Sequence, residues 1–142
     1  MMGNLLNKEG EMSMPRLGGM FELRGAVLTR MTKNFRVCPV VKITGNAGEI
    51  KLLSEFQKRF GGTVYNNPTT KVCLWELWGG EGLVKFCKIT RHVRYKRTML
   101  LILKSLLQNP IIGQSRGDAQ RMLKERQESF LSKAQKGVGC GG

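Results

Sequence analysis

Residues 16–25 read Arg16-Leu17-Gly18-Gly19-Met20-Phe21-Glu22-Leu23-Arg24-Gly25. Leu17, Met20, Phe21 and Leu23 mark a short apolar helix, and Pro15 suits its first turn. Gly18 and Gly19 interrupt the pattern. Two glycines cost an isolated helix roughly 2 kcal/mol relative to alanine, so the pair implies a second backbone in very close approach.

Downstream, 26–32 reads as a strand that turns at Lys33-Asn34. Its phase is open: either Thr29, Met31 and Lys33 or Arg30 and Thr32 share the face of the next strand's cations. That next strand is 36–44, where Val37, Pro39, Val41 and Ile43 alternate with Arg36, Cys38, Val40, Lys42 and Thr44. Pro39 cannot donate to a ladder and requires a free edge or an irregularity. Asn46 is placed to cap a helix in which Ile50, Leu52, Leu53, Phe56 and Phe60 recur every three or four residues, ending at Gly61-Gly62. A third strand, 63–65, turns at Asn66-Asn67-Pro68 into a fourth, 71–78. Leu83, Val84, Phe86 and Cys87 suggest a short helix. An apolar helix over 99–107 stops at Asn109-Pro110, and a last helix covers 118–135 with Met122, Leu123, Phe130 and Leu131 inward. The organisation expected is a flexible arm, 1–15, one domain, 16–135, and a disordered tail, 136–142. Two hairpins separated by a helix imply an α+β fold: an antiparallel four-stranded sheet with helices on one face and the other face open.

The charge is unusual. The 142 residues carry 24 Lys and Arg against 10 Asp and Glu, a formal net charge of +14. Self-repulsion of that size points to a polyanionic partner, nucleic acid ahead of an anionic membrane. Lys85, Lys88, Arg91, Arg94, Lys96 and Arg97 crowd together, and no acid occurs between Glu81 and Asp118. Cys38, Cys73, Cys87 and Cys140 form no metal-binding pair and read as reduced intracellular thiols; a lone His92 builds no metal cluster. No apolar run suits a membrane span or a signal peptide, and Glu9 and Glu11 argue against a mitochondrial presequence.

In this order of elements, 17–25 resembles a worn form of the LAGLIDADG homing endonuclease motif. Residues 36–44 resemble the family's second strand, 49–61 the helix after it and 62–65 the next strand. Arg94-Tyr95-Lys96-Arg97 stands where the family carries a basic cluster before its long helix. The resemblance spans roughly 16–109 and implies the αββαββα plan. It implies a homodimer through Leu17, Gly18, Gly19, Met20 and Phe21, and a sheet saddled over a duplex. It also implies acids at the motif helix ends that bind divalent metal, and an organellar intron origin, hence a mitochondrion or chloroplast.

One departure is decisive. The family's metal-binding acid falls at position 24, which is Arg24, and a guanidinium cannot ligate Mg²⁺. Glu22 is the remaining metal candidate, but two residues along a helix turn its side chain by about 200°. Glu22 and Lys96 are the catalytic candidates. Arg30, Lys33, Arg36, Lys42, Thr44, Lys71, Arg91, Arg94, Lys96 and Arg97 are the nucleic-acid-binding candidates. Trp78 is a candidate for stacking on an unpaired base or for core packing, and Glu76 on the same face would repel phosphate. The expected function is nucleic-acid binding with impaired catalysis, as an RNA-binding, maturase-like or ribosome-associated factor without a cofactor. Alternatives are an active homodimeric intron-encoded DNA endonuclease using Mg²⁺, a non-enzymatic DNA-binding regulator, and a basic scaffold protein for an acidic partner.

Overall fold

Helix α1 (Met14–Arg24) begins at Ser13, whose hydroxyl accepts the Arg16 N–H at 3.4 Å, with Pro15 in the first turn. The computed structural model describes the backbone of residues 13–141 and the side chains of residues 13–132. Met14 and Pro15, expected in the arm, therefore belong to α1, because Ser13 supplies the cap; the rest of the arm, 1–12, lies outside the described residues.

Helix α1 runs directly into β1 (Gly25–Met31), which pairs antiparallel with β2 (Val37–Asn46). A short 3₁₀ turn (Ala47–Glu49) leads into α2 (Ile50–Phe60). There Asn46 accepts the Gly48 N–H and Glu49 reaches back to the Asn46 N–H, both at 3.0 Å, the reciprocal capping arrangement. Gly61 and Gly62, both at φ +90°, end α2. Strands β3 (Thr63–Asn67) and β4 (Val72–Leu77) follow, so the turn begins beyond Asn67 rather than at Asn66. The Asn67 side-chain carbonyl accepts the N–H groups of Thr69 and Thr70 and shapes it. The sheet order is β1-β2-β4-β3, all antiparallel. After the sheet come α3 (Gly80–Phe86), a 3₁₀ turn (Cys87–His92), α4 (Arg97–Gln108) and α5 (Arg116–Gly141). The backbone of α5 continues through 136–141, where a disordered tail was expected, since extending a helix is cheaper than starting one.

Residues directly opposite in antiparallel strands share a face. Val41, Ile43, Cys73, Trp75 and Leu77 share the inner face. They pack with Leu17 and Phe21 of α1, Leu53, Phe56 and Phe60 of α2, Leu83 and Phe86 of α3, and Leu100 and Leu103 of α4. Phe86 sits edge-on to Phe21 and Phe60, with ring centroids 5.5 and 5.2 Å away, and Phe56 lies 5.0 Å from Trp75. Trp75 satisfies its buried indole N–H on the Gly61 carbonyl at 2.9 Å. A smaller cluster of Val37, Leu106, Ile111 and Ala119 seats α5 on α4. Arg126 of α5 donates to the Ser105 and Asn109 carbonyls and closes the end of α4. Pro39 is tolerated because β4 pairs with β2 only from Val41 onward, leaving β2 an edge at that point. Cys38, Cys73 and Cys87 are free thiols, and the Cys140 side chain lies outside the described residues. Among the described residues no helix is long and apolar enough to cross a membrane.

The two glycines of α1 have opposite roles. A Cβ on Gly18 would lie 2.7 Å from the His92 Cβ and 2.9 Å from its carbonyl oxygen, while one on Gly19 would meet nothing within 4 Å. The close backbone approach implied by the sequence is thus satisfied within the chain at Gly18. Gly18→Ala is expected to destabilise by about 1–3 kcal/mol through overpacking. Gly19→Ala is expected to stabilise by about 0.5–1 kcal/mol through helix propensity. Urea unfolding of the two variants checks the opposite signs.

Candidate nucleic-acid interface

The last turn of α1 meets the first turn of α4. The Glu22 carboxylate accepts three backbone N–H groups there: Arg94 at 2.5 Å, Tyr95 at 3.0 Å and Lys96 at 2.8 Å. Lys96 returns the contact, its ammonium donating to the Gly25 carbonyl at 2.6 Å and the Phe21 carbonyl at 3.4 Å. A carboxylate sits at the N-terminal end of α4 and an ammonium at the C-terminal end of α1, each on the favourable pole of the helix it touches. Partial burial pushes the Glu22 pKa up, but the three N–H bonds and the Lys96 charge outweigh it and hold it below the ordinary 4.5. The two catalytic candidates are therefore brought together, with their polar atoms engaged as reciprocal helix caps.

Arg24, at the end of α1, forms an ion pair with Glu49 of the capping turn. The Arg24 hydrogen bond, followed by the Asn46 N–H, holds the Glu49 carboxyl below its ordinary pKa. The donor set at this helix end is one guanidinium, one carboxylate paired to it and one carboxylate bonded to three N–H groups. It does not fit a divalent cation, which needs free oxygen ligands. Asp118 is committed elsewhere, to the Gln114 N–H and to Arg121 at the start of α5.

The dimer-interface candidates divide. Leu17 and Phe21 are buried in the core and Gly18 is pressed on His92, so a partner cannot reach these three; a helix of this period turns positions 17, 18 and 21 to one side. Gly19 is exposed, Met20 is half-buried, and Leu23 stands 79% exposed.

The outer face of the sheet settles the phase of β1. Arg30 pairs with Cys38 and Ala26 with Lys42, which places Arg30 on the same face as Lys42. Lys42 in turn stands opposite Glu76. Glu76, its side chain only 7% exposed, receives Arg30 at 3.2 Å and Lys42 at 3.3 Å. The Trp78 indole N–H donates to its other oxygen at 2.7 Å, and the Arg30 guanidinium lies 4.2 Å over the Trp78 ring. Burial pushes the Glu76 pKa up, but the bonds from Trp78 and Lys42 and the charges of Arg30 and Lys42 hold it below the ordinary value. The central cations of this face are thus neutralised from within. Among the outward residues, Leu28, Tyr65, Val72 and Trp78 are exposed.

The remaining candidates lie around this face or in the loop before α4. Thr44 is exposed on β2, Lys33 in the β1–β2 turn and Lys71 in the β3–β4 turn, at opposite ends of the sheet. Arg36 is exposed and bridges Ile112. Arg91, Arg94 and Arg97 crowd the segment that Glu22 holds. Arg97 donates to the Val93 carbonyl at 2.9 Å, and Arg94 lies 5.7 Å from the Tyr95 ring centre.

A four-stranded antiparallel sheet in the order β1-β2-β4-β3 with helices on one face has known counterparts. The fold is that of the LAGLIDADG homing endonucleases. The homing endonuclease I-CvuI, solved in complex with its target, is 16% identical with a TM-score of 0.60, over 67% of this chain and 65% of that one. I-TnaI is 18% identical with a TM-score of 0.58, over 68% and 72%. The LAGLIDADG meganuclease I-AabMI, bound to uncleaved DNA, is 16% identical with a TM-score of 0.58, over 68% of this chain and 36% of that one. The match thus spans under two-thirds of the I-CvuI chain and about a third of I-AabMI. No protein-family model matches the chain, and no curated protein matches it by sequence.

Within the LAGLIDADG fold, the Glu22 cap has a measurable weight. Glu22→Ala is expected to cost about 1–2 kcal/mol at neutral pH, as loss of a helix cap does. Because the folded-state pKa lies below 4.5, that stabilisation is present above the unfolded value and fades as pH falls through the folded one. Denaturant unfolding of wild type and variant down to about pH 3 should show the gap narrowing.

Proposed function

We propose that the protein is a LAGLIDADG-fold nucleic-acid-binding factor without metal-dependent cleavage, acting on RNA in a maturase-like or ribosome-associated role. The observation that carries the reading is Arg24, standing where the resemblance calls for a metal-binding acid and paired with Glu49. A permanently protonated guanidinium repels a divalent cation and binds phosphate instead. Glu22, the other acid at that helix end, is held by three backbone N–H groups. The net charge of +14 supports a polyphosphate partner. The DNA complexes of I-CvuI and I-AabMI support nucleic acid as its class. RNA is favoured over duplex DNA by the sheet centre, where Arg30 and Lys42 share Glu76 and so offer fewer free donors to a groove. In this reading two copies pair through the outward side of α1, at Gly19 and Leu23.

Plasmid DNA incubated with the protein and Mg²⁺ is expected to stay uncut. Nicking that Glu22→Gln abolishes would overturn the reading. RNA hairpins are expected to be retained at low ionic strength and released as salt rises. The double variant Arg91→Ala/Arg94→Ala is expected to flatten the slope of log K against log salt by about 1.4–1.8, two phosphate contacts at 0.7–0.9 each. An unchanged slope would remove the basic segment from the interface.

A further inference from the structure

The outer sheet face is built unlike a surface for reading a duplex. Strands that read a groove need free polar side chains aimed at base edges and cations aimed at phosphates. Here the outward positions of β1, β2 and β4 include Ala26, Leu28, Val72 and Leu74. The charged groups at the centre neutralise one another through Glu76. Trp78, 43% exposed, stands at this centre and is fixed twice: its indole edge by Glu76 at 2.7 Å, and one ring face by the Arg30 guanidinium 4.2 Å from its centre. Tyr65, 49% exposed, projects from β3 on the same face. Exposed cations lie at the ends of the sheet, Lys33 in one turn and Lys71 in the other.

We propose that this face is a stacking platform for unpaired bases: single-stranded nucleic acid crosses the sheet with a base on the Trp78 indole, while its phosphates meet Lys33 and Lys71 at the two ends. The inference rests on the nucleic-acid reading above and gives it a substrate class. Fixing the indole in advance removes the entropy of ordering it when a base arrives. An apolar, pre-ordered aromatic surface suits the π-face that every base presents once it leaves a helix. A duplex buries those faces within its own stack and gains nothing from Trp78. Glu76 sits at the edge of the ring, and its charge is balanced by Arg30 and Lys42, so a passing phosphate is not repelled.

The molecule carries its own probe, because Trp75 is fully buried and Trp78 is exposed. Titration with a single-stranded oligoribonucleotide at low salt is expected to quench the tryptophan emission, and the same sequence annealed to its complement is not. Trp78→Ala is expected to weaken single-strand binding by about 5- to 150-fold, the range for loss of one base–aromatic stack, and duplex binding by less than about twofold on the same scale. Trp78→Phe, which keeps a ring and guards against misfolding, should fall between. If single strand and duplex bind but both ignore Trp78→Ala, or lose affinity equally, the platform is wrong and the nucleic-acid reading stands. If neither binds at low ionic strength, both fall.

Discussion

The C-terminal end of α1 and the N-terminal end of α4 meet head to tail, and each helix lends the other the charge its exposed backbone needs. Glu22 gives a carboxylate to three N–H groups, and Lys96 gives an ammonium to two carbonyls. One of those carbonyls belongs to Gly25, the first residue of β1. The lock therefore fixes the start of the sheet, the segment from Arg91 to Arg97 and the seat of α4 together. Gly18, pressed on His92, closes the same segment from the side. The basic residues proposed to meet phosphate thus stand on a rigid base, which lowers the ordering cost of binding.

Arg24 does not stand alone at its helix end. Its partner Glu49 is held in place independently by the Asn46 turn, through the reciprocal bonds that start α2. An acid placed at position 24 would stand against Glu49 and replace an attraction by a like-charge repulsion at close range. The helix end is built around the guanidinium, with Glu49 of the neighbouring turn balancing it. Among the described residues, the two carboxylates at this helix end, Glu22 and Glu49, are both engaged and leave no free oxygen pair for a metal.

Much of the fold was legible because its elements obey local rules. Alternation in β2, the three-to-four spacing of Leu53, Phe56 and Phe60, and the stops at Gly61-Gly62 and Asn109-Pro110 gave each element within a few residues, and their order gave the sheet. The ends were less visible. Ser13 lies one residue before Met14-Pro15 in a stretch without period, and Arg126 looks like any solvated helix cation until Ser105 and Asn109 come beneath it. The site was legible as a set of residue types and illegible as a set of bonds. Glu22 and Lys96 are 74 residues apart, and nothing in either neighbourhood announces that each caps the other's helix. Glu49 carries the spacing of a capping residue after Asn46, but only the meeting of α1 with the capping turn gives it Arg24. Gly18 and Gly19 look identical in sequence, and the three-dimensional packing alone makes one buried and the other open.

A net charge states that a polyanion is welcome and is silent about where it lies. On this sheet the distinction matters, because Arg30 and Lys42, two of the cations that made the strands look like a phosphate surface, are drawn inward by one half-hidden carboxylate. Placing Glu76 there costs desolvation, which its three partners offset only because they converge from β1, β2 and the end of β4. That convergence trades electrostatic reach for rigidity: long-range attraction is left to the turns and the Arg91–Arg97 segment, while the sheet centre becomes a fixed, mostly apolar surface with one aromatic ring. A surface of that kind selects by shape and stacking at short range, after the outlying cations have brought a strand to it.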